Sequence, residues 1–262
     1  MKTLFTFFIC LFGLGYSAQS QTTAVQSLEQ AKVECTGIKT QVTQARKLSN
    51  QLSKQLLLAG FPSTVAFETG VSTCTNQMQN HVEALEESVA AALLASGNGF
   101  NPGSINQSIQ LMVAQIDILD GLRAQIVQAI QAQNKALAQQ LIPQFNAALS
   151  RQTTLANQTI KKLDKAIDLI RPYQVCVRTV DSNGNPVAAS DLFGFYCVKA
   201  GTQTLIEPSN QEGTCWTLPA GTYEFGSYPG YFSGTSSNTV TLTRSLENAD
   251  GQVLVDLVYW SE

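Results

Sequence analysis

The sequence predicts a two-domain α + β chain: a long-helix bundle followed by a seven-stranded antiparallel β-sandwich. Three observations predict it. Apolar residues return every three or four positions from Thr22 to Arg171, the pattern changes to alternation at Tyr173, and Pro172 stands at the change. A domain boundary is therefore expected there, with residues 21–172 helical and residues 173–262 β.

The first twenty residues, MKTLFTFFICLFGLGYSAQS, place one lysine before an apolar run and then small and polar residues. That is the layout of a secretory signal peptide, and cleavage is expected after Ser20, with Ala18 as the other candidate. The rest of the chain would then be secreted and extracellular. No later stretch reaches the eighteen or more apolar residues of a membrane helix, so no stable membrane insertion is expected. With 16 basic and 19 acidic residues spread without runs, the chain offers no footprint for nucleic acid. Charged residues make up 13% of the chain, against about 25% in ordinary proteins, and the nearly neutral polar surface favours self-association.

The first helix is nearly a heptad repeat. Leu28, Cys35, Val42, Ser49 and Leu56 share one position, and Ala31, Ile38, Ala45, Leu52 and Ala59 share the other. The stretch AGFPS at 59–63 stops it, because Gly60 frees the backbone and Pro62 withholds an amide. A second stripe runs from Phe67 through Val71, Cys74, Met78, Val82, Leu85 and Val89 to Ala92. SGNGFNPGS at 96–104 ends it, with Ser104 expected to cap the next helix. A third stripe begins at Ile105 and a fourth runs from Phe145 to Ile170. Matched lengths favour a bend between Asn134 and Pro143 and hence four up-down helices. The alternative is one long kinked helix that dimerises through its unpaired half.

Strand-like segments follow: VCVRTVD, LFGFYCVKA, TQTLIE, TCWTL, TYEF, NTVTLTR and QVLVDLVYW, separated by turn signals. The order VCVRTVDSNGNPV, then GTCWTLPAGTYEF, then PGY and a closing alternating strand resembles the carboxypeptidase-regulatory-like, or prealbumin-like, sandwich. The collagen-adhesin B-type repeats belong to the same group. The resemblance covers residues 174–260 and implies a spacer, stalk, adhesin or accessory module. Some adhesin repeats carry a Lys-to-Asn isopeptide bond. This chain has Arg178 in the first strand and Asp256 in the last, so neither end of that bond is evident.

The chain has six cysteines, and Cys10 leaves with the leader. Cys35, Cys74, Cys176, Cys197 and Cys215 are then disulfide candidates, and an odd number leaves one free or bridging two chains. A bond between Cys35 and Cys74 requires the first helix to break early, around residues 48–53, because in a hairpin turning near residue 61 their levels differ by roughly 20 Å. Without the break both thiols stay apart.

Spacing brings no metal ligands together, and no cofactor motif is present. His81, the only histidine, would need a nucleophile and a carboxylate brought to it by the fold, and a helical surface histidine near Glu83 and Glu86 is the simpler expectation. Asp117 with Asp120, and Asp164 with Asp168, are expected as surface charges. No enzymatic activity is expected.

Tyr223, Phe225, Tyr228, Tyr231 and Phe232 gather near one end of the sandwich. Tyr223, Phe225 and Trp216 are expected in the core, while Tyr228, Tyr231, Phe232 and Trp260 are candidates for interaction. Aromatic side chains there could anchor a protein partner or stack on sugar rings. Asn106 and Asn157 begin two sequons that permit N-glycosylation in a eukaryotic source. The functional expectation is a secreted structural, adhesion or assembly protein in which a helical rod presents a β-sandwich, with protein partners or self-association. The alternatives are a polysaccharide-binding module and, behind it, an α-helical pore-forming toxin.

Overall fold

The computed structural model describes residues 3–58, 61–97 and 99–262, with side chains from Gln21 onward. The expected leader thus falls outside the residues whose side chains are described. Two compact units are present, one of them Thr23–Ile167 and the other containing Asp168–Glu262.

Four helices precede the strands: α1 (Thr3–Leu58), α2 (Val65–Ser96), α3 (Gly103–Gln131) and α4 (Lys135–Ile170). The apolar stripes become the interior, from Leu28 to Leu56 on α1, Phe67 to Ala92 on α2, Ile105 to Ile130 on α3 and Phe145 to Ile170 on α4. Contacts between helices run in opposite numerical directions, as antiparallel neighbours require. Glu34 meets His81 while Leu48 lies against Gly70, so α1 and α2 are antiparallel. Lys32 pairs with Asp164 at 2.8 Å and Arg46 donates to Ser150 at 2.9 Å, so α4 runs antiparallel to α1. Thr75 donates to Asp120 at 3.0 Å between α2 and α3, and Lys162 donates to the Ser104 carbonyl at 2.7 Å between α4 and α3. Phe67 and Phe145 meet edge to face, with centroids 5.8 Å apart. The helices therefore alternate up and down.

Residues 132–134 separate α3 from α4, and Gln133 takes a left-handed φ of 57°. The single long helix is thereby excluded. The break falls at the near edge of the expected window because Asn134 caps α4, its Oδ1 accepting the Leu137 amide at 3.0 Å, while Pro143 lies inside the helix. Ser104 is not a cap. Pro102 stands at the cap position without a side-chain bond, and just before it the Asn101 Oδ1 accepts the Gly103 amide at 2.8 Å.

α1 continues without interruption through residues 48–53. Ser49 is buried there and the helix does not turn back. Cys35 consequently lies near the level of His81, seven residues or about 10 Å from Cys74 along α2, and both thiols are free and buried. The Cys35–Cys74 bond does not form. Burial pushes the Cys35 thiol up to about 12, so at pH 8 only about one molecule in ten thousand carries the thiolate. Burial likewise pushes Cys197 up to about 12 and raises Cys74. In the chain from Gln21 onward, a thiol reagent at pH 8 is expected to find almost no reactive sulfur in the native state and three after unfolding. Rapid native labelling at Cys35 would contradict its burial on α1.

The second unit holds seven strands: β1 (Pro172–Val180), β2 (Phe195–Lys199), β3 (Cys215–Pro219), β4 (Thr222–Ser227), β5 (Ser233–Thr235), β6 (Asn238–Thr241) and β7 (Gln252–Ser261). They form a four-stranded sheet ordered β3-β1-β7-β5 and a three-stranded sheet ordered β2-β4-β6. The expected all-antiparallel arrangement is corrected in one place: β1 and β7 run parallel, with Gln174 opposite Gln252 and Val180 opposite Val258. Some seventy residues separate those strands, long enough for the crossover that parallel pairing requires. TQTLIE forms no strand and keeps a single bridge, Leu205 to Val198. Both sheets contribute to one core, built around Tyr173, Val175, Trp216, Leu218, Phe225 and Val255.

Candidate functional site

The β unit carries an aromatic edge. Phe193 precedes β2, Tyr228, Tyr231 and Phe232 lie between β4 and β5, and Trp260 lies near the end of β7. Tyr231 is 88% exposed, Phe232 72%, Phe193 66%, Trp260 48% and Tyr228 41%. Tyr223 and Phe225, two and four residues along β4 from its start at the PAG turn, are buried in the core. The end of β4 therefore divides a single aromatic run into a half anchored on the inward face of the strand and an open half on the loop that follows.

Hydrogen bonds hold the open half in place. Tyr228 donates its amide to the Gly194 carbonyl at 2.8 Å and accepts from Phe193 at 3.3 Å. Gly230 donates to Ser233 at 2.9 Å, and Glu262 donates to Phe232 at 2.9 Å. Gly230 must be glycine, because a Cβ there would come within 2.5 Å of the Asp191 carbonyl. The rings also support one another. Phe193 and Tyr231 pack edge to face at 5.7 Å, and Tyr228 tilts against Tyr196 at 5.6 Å. The Tyr196 ring lies over Gly226, and burial raises its phenol.

Register adds a shared face. Gly234 stands opposite Trp260, and the indole lies over the glycine, where a Cβ would be 2.5 Å from it. Positions 232, 234, 260 and 262 fall on one face of the β5–β7 pair, so Phe232 and Trp260 share it with Glu262. The Tyr259 hydroxyl, on the other face, donates to both Asp191 carboxylate oxygens at 3.0 and 3.1 Å. The resulting surface offers exposed ring faces, with Glu262 on the same face of the β5–β7 pair as Phe232 and Trp260. It can stack, exclude water and accept hydrogen bonds.

Other candidate residues are dispersed. Cys176 and Cys215 form a disulfide between directly opposed positions of β1 and β3, and Cys197 is free and buried in the β core. His81 Nδ1 lies 2.8 Å from Glu34 Oε2, with its ring against Gly37, so its partner is on α1 and not the neighbouring Glu83 or Glu86. Asp120 accepts from Thr75, Asp164 pairs with Lys32, and Asp168 lies 3.9 Å from Arg244. Arg178 and Asp256, opposite one another in β1 and β7, form a two-pronged ion pair that holds the Asp256 carboxyl below its usual range. Asn106 and Asn157 are exposed on α3 and α4, whereas Ser108 and Thr159 of their sequons are buried. Among the described residues, no three His, Cys, Asp or Glu side chains gather to hold a metal ion, and no helix is long and apolar enough to cross a membrane.

Sequence reasoning missed Phe193, Tyr196, Asp191 and Tyr259. The one local signal was Gly194, whose φ of 121° permits the turn that brings Phe193 beside Tyr231. Comparison with protein-family models, with curated proteins and with solved structures finds no match for this chain.

Proposed function

We propose that this chain works by binding: it is an extracellular adhesion or assembly protein, and the aromatic edge of its β unit makes the contact. The observation that carries this reading is the combination of exposure and fixation. Phe193, Tyr228, Tyr231 and Phe232 stand open to solvent on a backbone tied down at each turn. Fixed rings lose little conformational freedom on binding and bury large apolar areas, which is why such residues dominate protein contacts. The Cys176–Cys215 bond supports an oxidising compartment. The prealbumin-like resemblance of residues 174–260 supports a module of this kind, and the partner favoured is a second copy of the chain.

A saccharide is the second reading, favoured by the exposed ring faces with Glu262 on the same strand face as Phe232 and Trp260. Sedimentation of the chain from Gln21 onward over a range of concentrations tests the two together with retention on insoluble polysaccharide. Self-association that Tyr231→Ser with Phe232→Ser abolishes supports the first. Retention without self-association, lost in the same variant, assigns the edge to sugars. Neither behaviour in the unaltered chain overturns both.

A further inference from the structure

The two sheets end in the edge strands β3 and β5 on one and β2 and β6 on the other. Register tells which backbone groups of β6 face outward. The Leu242 amide reaches the Gly221 carbonyl at 2.8 Å, and Val240 and Asn238 stand opposite Tyr223 and Phe225. Antiparallel pairing alternates along a strand, so Asn238, Val240 and Leu242 give their backbone groups to β4, while Thr239 and Thr241 turn theirs away from it. The chain itself partly closes the other edges. Ser209 donates to the Cys215 carbonyl and Asn210 Oδ1 accepts the Cys215 amide on β3, Ile206 and Thr202 donate to Cys197 and Lys199 on β2, and Gly230 donates to Ser233 on β5. On β6 nothing does this. Among the described residues the amides and carbonyls of Thr239 and Thr241 have no partner. Both residues are exposed, as unpaired backbone groups require.

Nothing on this edge keeps another strand away. Lysine, proline or a bulge guards many natural edges. From Ser233 to Thr243 the chain has no charged residue and no proline, and β6 pairs with β4 in unbroken register. Thr239, Val240 and Thr241 are all β-branched, the class of residue that strands favour. The open row also selects its occupant. A helix has already used its own amides and carbonyls, and a lipid tail has none, whereas an extended strand brings donors and acceptors at the same spacing.

We propose that β6 pairs with β6 of a second copy, antiparallel about a two-fold axis at Val240, and so joins the β2-β4-β6 sheets of both copies into one. For its partner this rests on the reading above, and it places the seam next to the aromatic edge. Thr235 Oγ1 donates to Ser227 Oγ at 3.0 Å just before Tyr228, and residues 236–237 lead from β5 into β6. The edge is complementary to itself. Thr239, Val240 and Thr241 read the same in both directions, so Thr239 falls opposite Thr241 of the second copy and every open amide meets an open carbonyl. Threonine then lies beside threonine on the exposed face, a favourable cross-strand pair. Val240, already packed against the core, meets its counterpart on the other face. No charge is buried in the process. That symmetry favours a second copy over an unrelated strand.

The test is sedimentation of the chain from Gln21 onward as the parent, as Thr239→Lys with Thr241→Lys, as Thr239→Glu with Thr241→Glu, and as an equal mixture of these two variants. Each variant sets like charges opposite one another across the seam, and is expected to weaken self-association by about tenfold or more. The mixture sets lysine opposite glutamate and is expected to restore it, with the near-ultraviolet circular dichroism of each variant matching the parent. Hydrogen exchange is expected to show the Thr239 and Thr241 amides gaining protection as the parent associates. If the lysine variant associates as tightly as the parent, the proposal is overturned and the aromatic edge alone makes the contact. A mixture that stays monomeric while the parent associates overturns it too, since the strands then do not meet in this register. Association lost in the lysine variant but kept in Tyr231→Ser with Phe232→Ser upholds the seam and removes the aromatic edge from it. A parent that stays monomeric throughout overturns the proposal while leaving the saccharide reading to its own test.

Discussion

Trp216→Ala is expected to unfold the β unit while leaving the helical unit folded. The indole is fully buried in β3, packs edge to face on Phe225 at 5.6 Å, and donates its Nε1 proton to the Ile206 carbonyl at 2.8 Å. Removing so large a side chain from a packed core costs about 3–5 kcal/mol, and the stranded Ile206 carbonyl adds about 1 kcal/mol or more. A domain of this size is stabilised by only about 5–15 kcal/mol in total. Hydrogen exchange read peptide by peptide checks the result: amides of β1, β3 and β4 should lose protection while those of α2 and α3 keep theirs. Retained protection across β3 would mean that Trp216 is not central to that core.

The second large effect is expected from reducing the disulfide, or from Cys176→Ser with Cys215→Ser. The bond joins opposed residues of adjacent strands and spans a sequence separation of 39. Closing a loop of that size restricts the unfolded chain by roughly 4 kcal/mol. Both sulfurs lie on the outward face of the sheet, since Val175 and Val177 on either side of Cys176 point into the core. Serine therefore fits there without disturbing packing, and the loss should act almost wholly through the unfolded state. Melting followed with and without reductant should show the β transition fall and the helical transition stay, because Cys35 and Cys74 are not joined. A β transition indifferent to reductant would refute this account.

Helical spacing was largely legible in the sequence because most of each stripe has a single periodicity and a single destination, although Leu137, in step with the third stripe, lies exposed on α4. Leu28 to Leu56 and Phe67 to Ala92 lie buried as the pattern requires. What spacing could not convey is the pairing of strands. QVLVDLVYW alternates whether its neighbour is parallel or antiparallel, so β7 was readable as a strand while its partnership with β1 was not. β5 escaped for another reason. Ser233, Gly234 and Thr235 have no apolar alternation, and only the Trp260 ring over Gly234 and the ladder to Ser261 make them a strand. The aromatic edge was half legible for the same cause. Tyr228, Tyr231 and Phe232 are adjacent in the chain, whereas Phe193 and Asp191 reach them only through tertiary contacts. The burial of Gln115 left no mark at all, since a glutamine in a Gln-rich helix looks like a surface residue until its neighbours are known.

The partnership of β1 with β7 also bears on how the chain matures. β1 is the first strand to emerge during synthesis and has β3 on one side, but the other side stays open until Gln252–Ser261 has been made. For the time taken to translate some seventy residues, an apolar strand waits with at least one row of amides and carbonyls unfilled, which is the state most open to wrong pairing. The helices behind it face no such delay, because each finds its neighbour across a short turn. The two halves of this chain are thus born on different schedules: the bundle can assemble before β1 is made, and the β unit closes only once β7 has emerged.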